Sequence, residues 1–317
     1  MSESVPSFPS ASIVVPTFNR LAELRRVVRT VADQVSALAL HAEIVVVDDG
    51  STDGTAAWLD GCAREMAITV LHQDNAGPAK ARNRGVEAST GEIVFFLGDD
   101  TVPQPGWLHE HLEAHRIHSS TRPVAVLGYT AFPAAENSPF LRWINEYGAQ
   151  FGYALIDDPA NVPFNFFYTS NVSLPRPVFE DLGGFREDFP AAAWEDIEFA
   201  YRAAGSGLVL RYLPRARTIH YHRIRVRSFC ARQKTSGRSA AIFSELHSEL
   251  ADFLGVPCAL GRRSRSRVER VVLRAWIALA EVFHGLADDR TYRRLLDDCY
   301  LEGLAKGLRR PGSVRRD

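Results

Sequence analysis

No stretch of this chain is apolar for long enough to cross a bilayer. The best window, Val271 to Ala287, is broken by Arg274, Glu281 and His284, whereas a spanning helix needs ~20 apolar residues. The N-terminus has neither a basic n-region nor an apolar h-region, so no secretory signal is expected. Asn171-Val172-Ser173 matches a glycosylation sequon, which means nothing without secretion. Cysteine is scarce. Cys62, Cys230, Cys258 and Cys299 have neither disulfide nor metal-ligand spacing, and free thiols of this kind point to a reducing, cytoplasmic setting. The net charge of −1 gives no reason to expect nucleic acid as a partner. No Gly-x-Gly-x-x-Gly follows the first strand and no Gly-x4-Gly-Lys-Ser/Thr occurs anywhere, which argues against a dehydrogenase and a P-loop NTPase.

What remains is an ordinary globular composition, 46% hydrophobic and 24% charged over 317 residues, enough for two domains or one large domain with an appendage. Charge is unevenly placed. From Phe199 to Ser244 there are ten Lys or Arg residues and no Asp or Glu, and Arg262, Arg263, Arg265, Arg267 and Arg270 form a second cluster. For most of Arg223, Arg225, Arg227, Arg232, Lys234 and Arg238 the simplest reading is a solvated helix face.

Residues 1–10, rich in Ser and Pro, read as disordered. Four short apolar runs then alternate with helical patterns: Ser12 to Pro16, Glu43 to Val47, Ile68 to His72 and Glu92 to Leu97. Such alternation predicts a parallel sheet with helices on both faces. Each run ends in turn chemistry, and the fourth delivers Gly98-Asp99-Asp100 at its C-terminal end, where open α/β sheets bind ligands. Two adjacent carboxylates repel unless a cation or several donors sit between them. Oxygen donors of this kind suit Mg²⁺ or Mn²⁺. An aromatic segment runs from Phe140 to Tyr168, and Tyr168 to Leu174 reads as a strand. Arg211 to Pro214 and Arg217 to His222 read as edge strands, and the chain is helical beyond Val226. The expected division is therefore 1–10, 11–225 and 226–317.

Ser12 to Asn19, Val46 to Thr55, Asn75 to Gly85, Leu97 to Trp107 and Trp194 to Glu198 resemble, in order and spacing, the signatures of family 2 glycosyltransferases. The resemblance covers about residues 10–225. It implies a GT-A fold, a Rossmann-like sandwich with a mostly parallel central sheet, followed here by a C-terminal helical extension. It also implies a nucleotide-sugar donor, a divalent cation and inversion at the anomeric carbon. Under it, Asp49 holds the base, since a carboxylate accepts the imide N–H of uracil or thymine. Pro16, Thr17 and Asn19 bound the nucleoside, and Arg82 reaches the same pocket. Asp99 and Asp100 match the Asp-x-Asp metal motif, with Gly98 where its first carboxylate usually stands. Asp100 is assigned to the metal and Asp99 to the ribose or a metal-bound water, while His220 supplies a further metal contact and His222 shares its face. Asp196 is placed as the catalytic base with Glu195 the runner-up, the plain alternative for either being a helix cap. Trp194 would stack on an acceptor sugar or sit in the core. The expected partners are the donor and a carbohydrate or lipid-linked acceptor. The C-terminal helices would serve self-association or a peripheral membrane contact. A sugar-nucleotide pyrophosphorylase would need a Gly-rich N-terminal loop that is missing. A non-catalytic binder would have no use for a base.

Overall fold

The computed structural model describes residues 8–38, 41–118, 122–136, 138–191, 193–261, 266–282 and 288–309. It forms two compact units. One comprises Met1–Pro133, Ile156–Glu187 and Glu195–His222, the other Ala134–Leu155, Asp188–Trp194 and Arg223–Asp317.

The first unit is built on the apolar runs. They become β1 (Ala11–Thr17), β2 (Ala42–Asp48), β3 (Ile68–His72) and β4 (Ile93–Leu97), joined by α1 (Leu21–Ala37), α2 (Thr55–Glu65) and α3 (Pro78–Glu87). These four strands pair in parallel in the order β3-β2-β1-β4. The sheet then continues as β7-β6-β8-β5, with β5 (Thr101–Pro103), β6 (Val124–Ala131), β7 (Asn171–Pro175) and β8 (Val209–His220). Strand β7 runs antiparallel to both β4 and β6, β6 and β8 are parallel, and β5 is antiparallel to β8. The eight-stranded sheet is therefore mixed, and its parallel half carries the loops that the sequence singles out.

Side chains alternate across the sheet as strand geometry requires. Ile13, Val15, Phe95 and Leu97 join Leu24, Val27, Val28 and Val31 of α1 and Trp107, Leu108 and Leu112 of α4 (Trp107–His118) in one buried cluster. Val45 and Val47 pack with Ala81 of α3 on the opposite face. Phe95, Phe96 and Leu97 are wholly buried, each contributing about 1.5–3 kcal/mol by removal from water. That burial fixes the height at which Asp99 and Asp100 emerge.

The second unit holds α5 (Pro139–Glu146); α6 (Arg176–Asp181) and α7 (Glu195–Gly205) return to the first. Four further helices, α8 (Val226–Leu246), α9 (Val256–Leu260), α10 (Arg267–Val282) and α11 (Asp289–Gly307), complete the second. Phe140, Phe229 and Tyr292 form part of its core. Helix α10 leaves Val268, Val271, Val272, Trp276 and Leu279 exposed. Arg262, Arg263 and Arg265 lie outside the described residues. No helix among the described residues is long and apolar enough to cross a membrane.

Candidate active site

At the end of β2, Asp49 is buried and its carboxylate is held by its own chain. Oδ1 accepts from Ala76 N at 2.8 Å and Gln73 Nε2 at 2.7 Å, and Oδ2 from Gly77 N at 2.9 Å. A carboxylate has about four acceptor sites, so one remains for an incoming N–H. Asp48 beside it is occupied by Ser51 N and by His72. The β1–α1 loop is fastened to the β2–α2 loop: Asn19 takes a left-handed φ of 54°, accepts from Thr52 N and donates its own N–H to Ser51 Oγ. Asp53 accepts the Leu21 amide from the other side. Thr17 pairs with Asp48 across the β1–β2 ladder and donates from Oγ1 to Asp99 Oδ2 at 2.8 Å. Thr17, Asn19 and Asp49 are thus brought to one end of the sheet, with Pro16 one residue back in β1.

The carboxylate pair follows β4. A Cβ at Gly98 would stand 2.7 Å from Thr101 Oγ1 and 3.2 Å from Asp100 Oδ1. A first aspartate in this motif would therefore collide with the wholly buried Thr101, which accounts for the glycine. Burial and the neighbouring Asp100 charge push Asp99 up to about 7. Burial would raise Asp100 as well, but His220, Arg20 and His222 hold it well below the usual carboxylate range. The pair therefore splits at neutral pH into an ionised Asp100 and an Asp99 that shares its proton.

Arg20, the last residue before α1, carries no local sequence signal of a role at this site. Its Nη1 donates to Asp100 Oδ2, its Nε lies 3.8 Å from Asp99 Oδ1, and Nη1 is 3.2 Å from His222 Nδ1. His220 Nε2 lies 3.3 Å from the same Asp100 oxygen, with Phe132 stacked on its ring at 5.5 Å.

This donor set fits a small divalent cation in one respect. Ionised Asp100 Oδ2 and His220 Nε2 converge, and Mg²⁺ or Mn²⁺ is commonly held by one or two carboxylates plus substrate phosphates. Among the described residues no group of three or more His, Cys, Asp or Glu forms a cage by itself. The protein's share would be Asp100 and His220, completed by diphosphate oxygens.

A second acidic pair opens α7. Glu195 is buried, and Arg82 of α3 donates to its Oε1 at 2.9 Å. Burial first, and Asp196 second, push Glu195 up to about 7 against the pull of Arg82. The family resemblance implies Arg82 beside the nucleoside; the structure puts its guanidinium on Glu195. Asp196 is more accessible. Its Oδ1 accepts from Ile197 N at 2.9 Å, and its Oδ2 from the amide and hydroxyl of Thr169, each at 3.4 Å. Burial raises its pKa. One residue on from Thr169, Ser170 O accepts the Gly98 amide at 3.2 Å. Thr169-Ser170 therefore ties the Asp196 end of α7 to the Asp99–Asp100 turn. No local pattern marks Thr169; only the β4–β7 pairing places it. Trp194 belongs to the second unit, where Nε1 donates to Ser236 O and the ring packs on Phe243. Those contacts favour the packing alternative for a ring that is half-buried.

Comparison with known proteins follows the same lines. A family model described as glycosyl transferase family 2 matches residues 12–174. Validoxylamine A glucosyltransferase of Streptomyces hygroscopicus subsp. jinggangensis is 30% identical over 222 residues, 63% of this chain and 52% of that protein. Pre-mycofactocin glycosyltransferase of Mycobacterium tuberculosis is 29% identical over 248 residues, 78% of this chain and 50% of that one. The chain thus spans about half the length of these curated relatives. Among solved structures, a mannosyltransferase from Pyrobaculum calidifontis in complex with GDP-Man and Mn²⁺ superposes with a TM-score of 0.63 at 21% identity, covering 97% of this chain and 90% of that one. S. aureus TarS 1-349 superposes at 0.56 and 16%, covering 93% and 90%. The fold is of the GT-A type with a mixed sheet, and the chain belongs to glycosyl transferase family 2.

Proposed function

We propose that this chain is an inverting glycosyltransferase that moves a sugar from a nucleotide-diphosphate sugar to an acceptor hydroxyl on a glycan, glycolipid or small molecule. One observation carries the proposal: two acidic pairs, Asp99–Asp100 and Glu195–Asp196, are tied together through Thr169-Ser170 at the ligand-binding end of the sheet. Asp49 has one acceptor site left for the imide of a uridine or thymidine donor, and Pro16, Thr17 and Asn19 bound the nucleoside. Asp99, sharing its proton, suits a ribose hydroxyl or a cation-bound water. Asp100 and His220 would hold Mn²⁺ or Mg²⁺, which when bound neutralises the charge growing on the diphosphate leaving group. Relatives support that role, since the mannosyltransferase neighbour is described with Mn²⁺.

Asp196 takes the acceptor's proton as the hydroxyl attacks the anomeric carbon from the side opposite the leaving group. Its raised pKa moves it towards the range in which a base is most effective near neutral pH. Arg82 engages the buried Glu195, leaving Asp196 the more accessible carboxylate. The test is a panel of UDP-, dTDP- and GDP-sugars with Mn²⁺, scored for nucleotide release, with the product's anomeric configuration read by NMR. Release with inversion supports the reading. Tight donor binding without turnover on any acceptor would leave a binding protein instead, and retention would refute the roles given to Asp196.

A further inference from the structure

Asn171 opens β7 and is wholly buried. Its Oδ1 accepts from Trp107 Nε1 at 2.7 Å and His111 Nε2 at 3.1 Å. Its Nδ2 donates to Ala216 O at 3.0 Å and Tyr129 O at 3.3 Å, with Thr218 Oγ1 also at 3.3 Å. The indole N–H only donates and the two carbonyls only accept, so the amide can stand in one orientation alone.

Those two carbonyls lie at the one register shift in the β6–β8 ladder. Gly128 pairs with Leu213 and the next residue, Tyr129, with Arg217, so Pro214, Arg215 and Ala216 are extra residues on β8. Asn171 Nδ2 thus donates to one carbonyl on each strand of the bulge, Tyr129 O on β6 and Ala216 O on β8. Space at this joint is closed from the other side as well. A Cβ on Gly128 would stand 2.3 Å from both Ala216 O and Asn171 Nδ2.

The bulge decides which β8 residue arrives beside the carboxylates. Beyond it Thr218 pairs with Thr130 and Pro103, and His220 pairs with Thr101, the residue after Asp100. A slip of one residue would turn His220 to the other face of the strand. On its other side Asn171 pairs with Leu97, two residues before Asp99, while its Oδ1 holds the first turn of α4. One amide thus meets the strand that leads into the Asp99–Asp100 turn, the helix that leaves it, and the bulge that aims His220.

We infer that Asn171 is a positioning residue that sets the Asp100–His220 spacing by clamping the β8 bulge. The inference rests on the proposed cation-binding role of that pair. Replacing the partners that orient a metal ligand typically weakens metal affinity about 10–100-fold. Asn171→Asp keeps the shape and the acceptor for Trp107 and His111 but removes the amide donor facing the two carbonyls. Mn²⁺ binding in the presence of UDP, followed by electron paramagnetic resonance well below the melting temperature, should weaken by about that factor. Uridine binding by calorimetry should change less than twofold, because the Asp49 end is separated from Asn171 by β1 and β4. General destabilisation would not divide the two ends in this way. Should Asn171→Asp fail to fold, Thr218→Val, which deletes one hydroxyl at the joint, is expected to show the same division. Mn²⁺ affinity within twofold of wild type in a folded variant overturns the inference alone. A wild type that binds Mn²⁺ with neither UDP nor GDP overturns the cation reading and the inference with it.

Discussion

The buried histidines of α4 give a prediction whose size can be worked out. His111 and His115 lie against Ser173, one residue beyond Val172 from Asn171. Asn171 Oδ1 can only accept, so His111 Nε2 carries a proton and His111 Nδ1 accepts from Ser173. The Ser173 hydroxyl then accepts from His115 Nε2 at 2.8 Å. Burial keeps both imidazoles neutral in the folded chain near neutral pH. Burial holds His111 down to about 4 and His115 to about 3, against an ordinary value of 6.5. As pH falls through 6.5 the unfolded chain takes up these protons first, so stability from each group is lost with acidification, until the folded pKa is passed. For His115, moving from pH 8 to pH 5 removes about 2 kcal/mol, at 1.36 kcal/mol per pH unit. Asp99 and Glu195, raised to about 7, oppose this loss. They bind protons in the fold before the unfolded chain does, so the wild-type profile between pH 6.5 and 5 mixes opposing contributions. The comparison must therefore be differential. His115→Gln retains an N–H for Ser173 and does not titrate. Relative to wild type it should gain about 2 kcal/mol between pH 8 and pH 5, measured by urea unfolding at both values. A variant that tracks wild type to within about 0.5 kcal/mol would show that His115 is protonated or solvated in the fold.

Two shorter expectations concern the donor. Asp100→Asn, or excess chelator on the wild type, should abolish transfer, and full activity in chelator would refute the cation assignment. Asp49→Ala should weaken UDP binding by about 1–3 kcal/mol, the range for a hydrogen bond to a charged group. Unchanged affinity by calorimetry would mean that another group reads the base.

Much of the site is legible in the sequence because its parts end strands. The apolar runs before Pro16, Asp48 and Gly98 are local signals, and their carboxylates stand where those runs stop. The missing first aspartate is legible as a departure, but its cause, the closeness of Thr101, is tertiary. Pro214 to Ala216 separate two runs that read as two strands. They are instead a bulge within β8, held by Asn171 from another strand. Arg20 is one arginine among many until the fold sets it against Asp100. Residues 134–155 and 188–194 carry no mark of membership in the second unit, because contacts distant in sequence decide it.

The most direct test of the whole account is single-turnover kinetics on Asp196→Asn with the donor that the wild type uses. A positioned base typically contributes ~10²–10⁴-fold, so transfer should slow by about that factor while donor affinity stays within twofold. Glu195→Gln should do much less, since Arg82 already engages that carboxylate. A dead Glu195→Gln beside an active Asp196→Asn would exchange the two roles, and wild-type rates in both variants would contradict the mechanism.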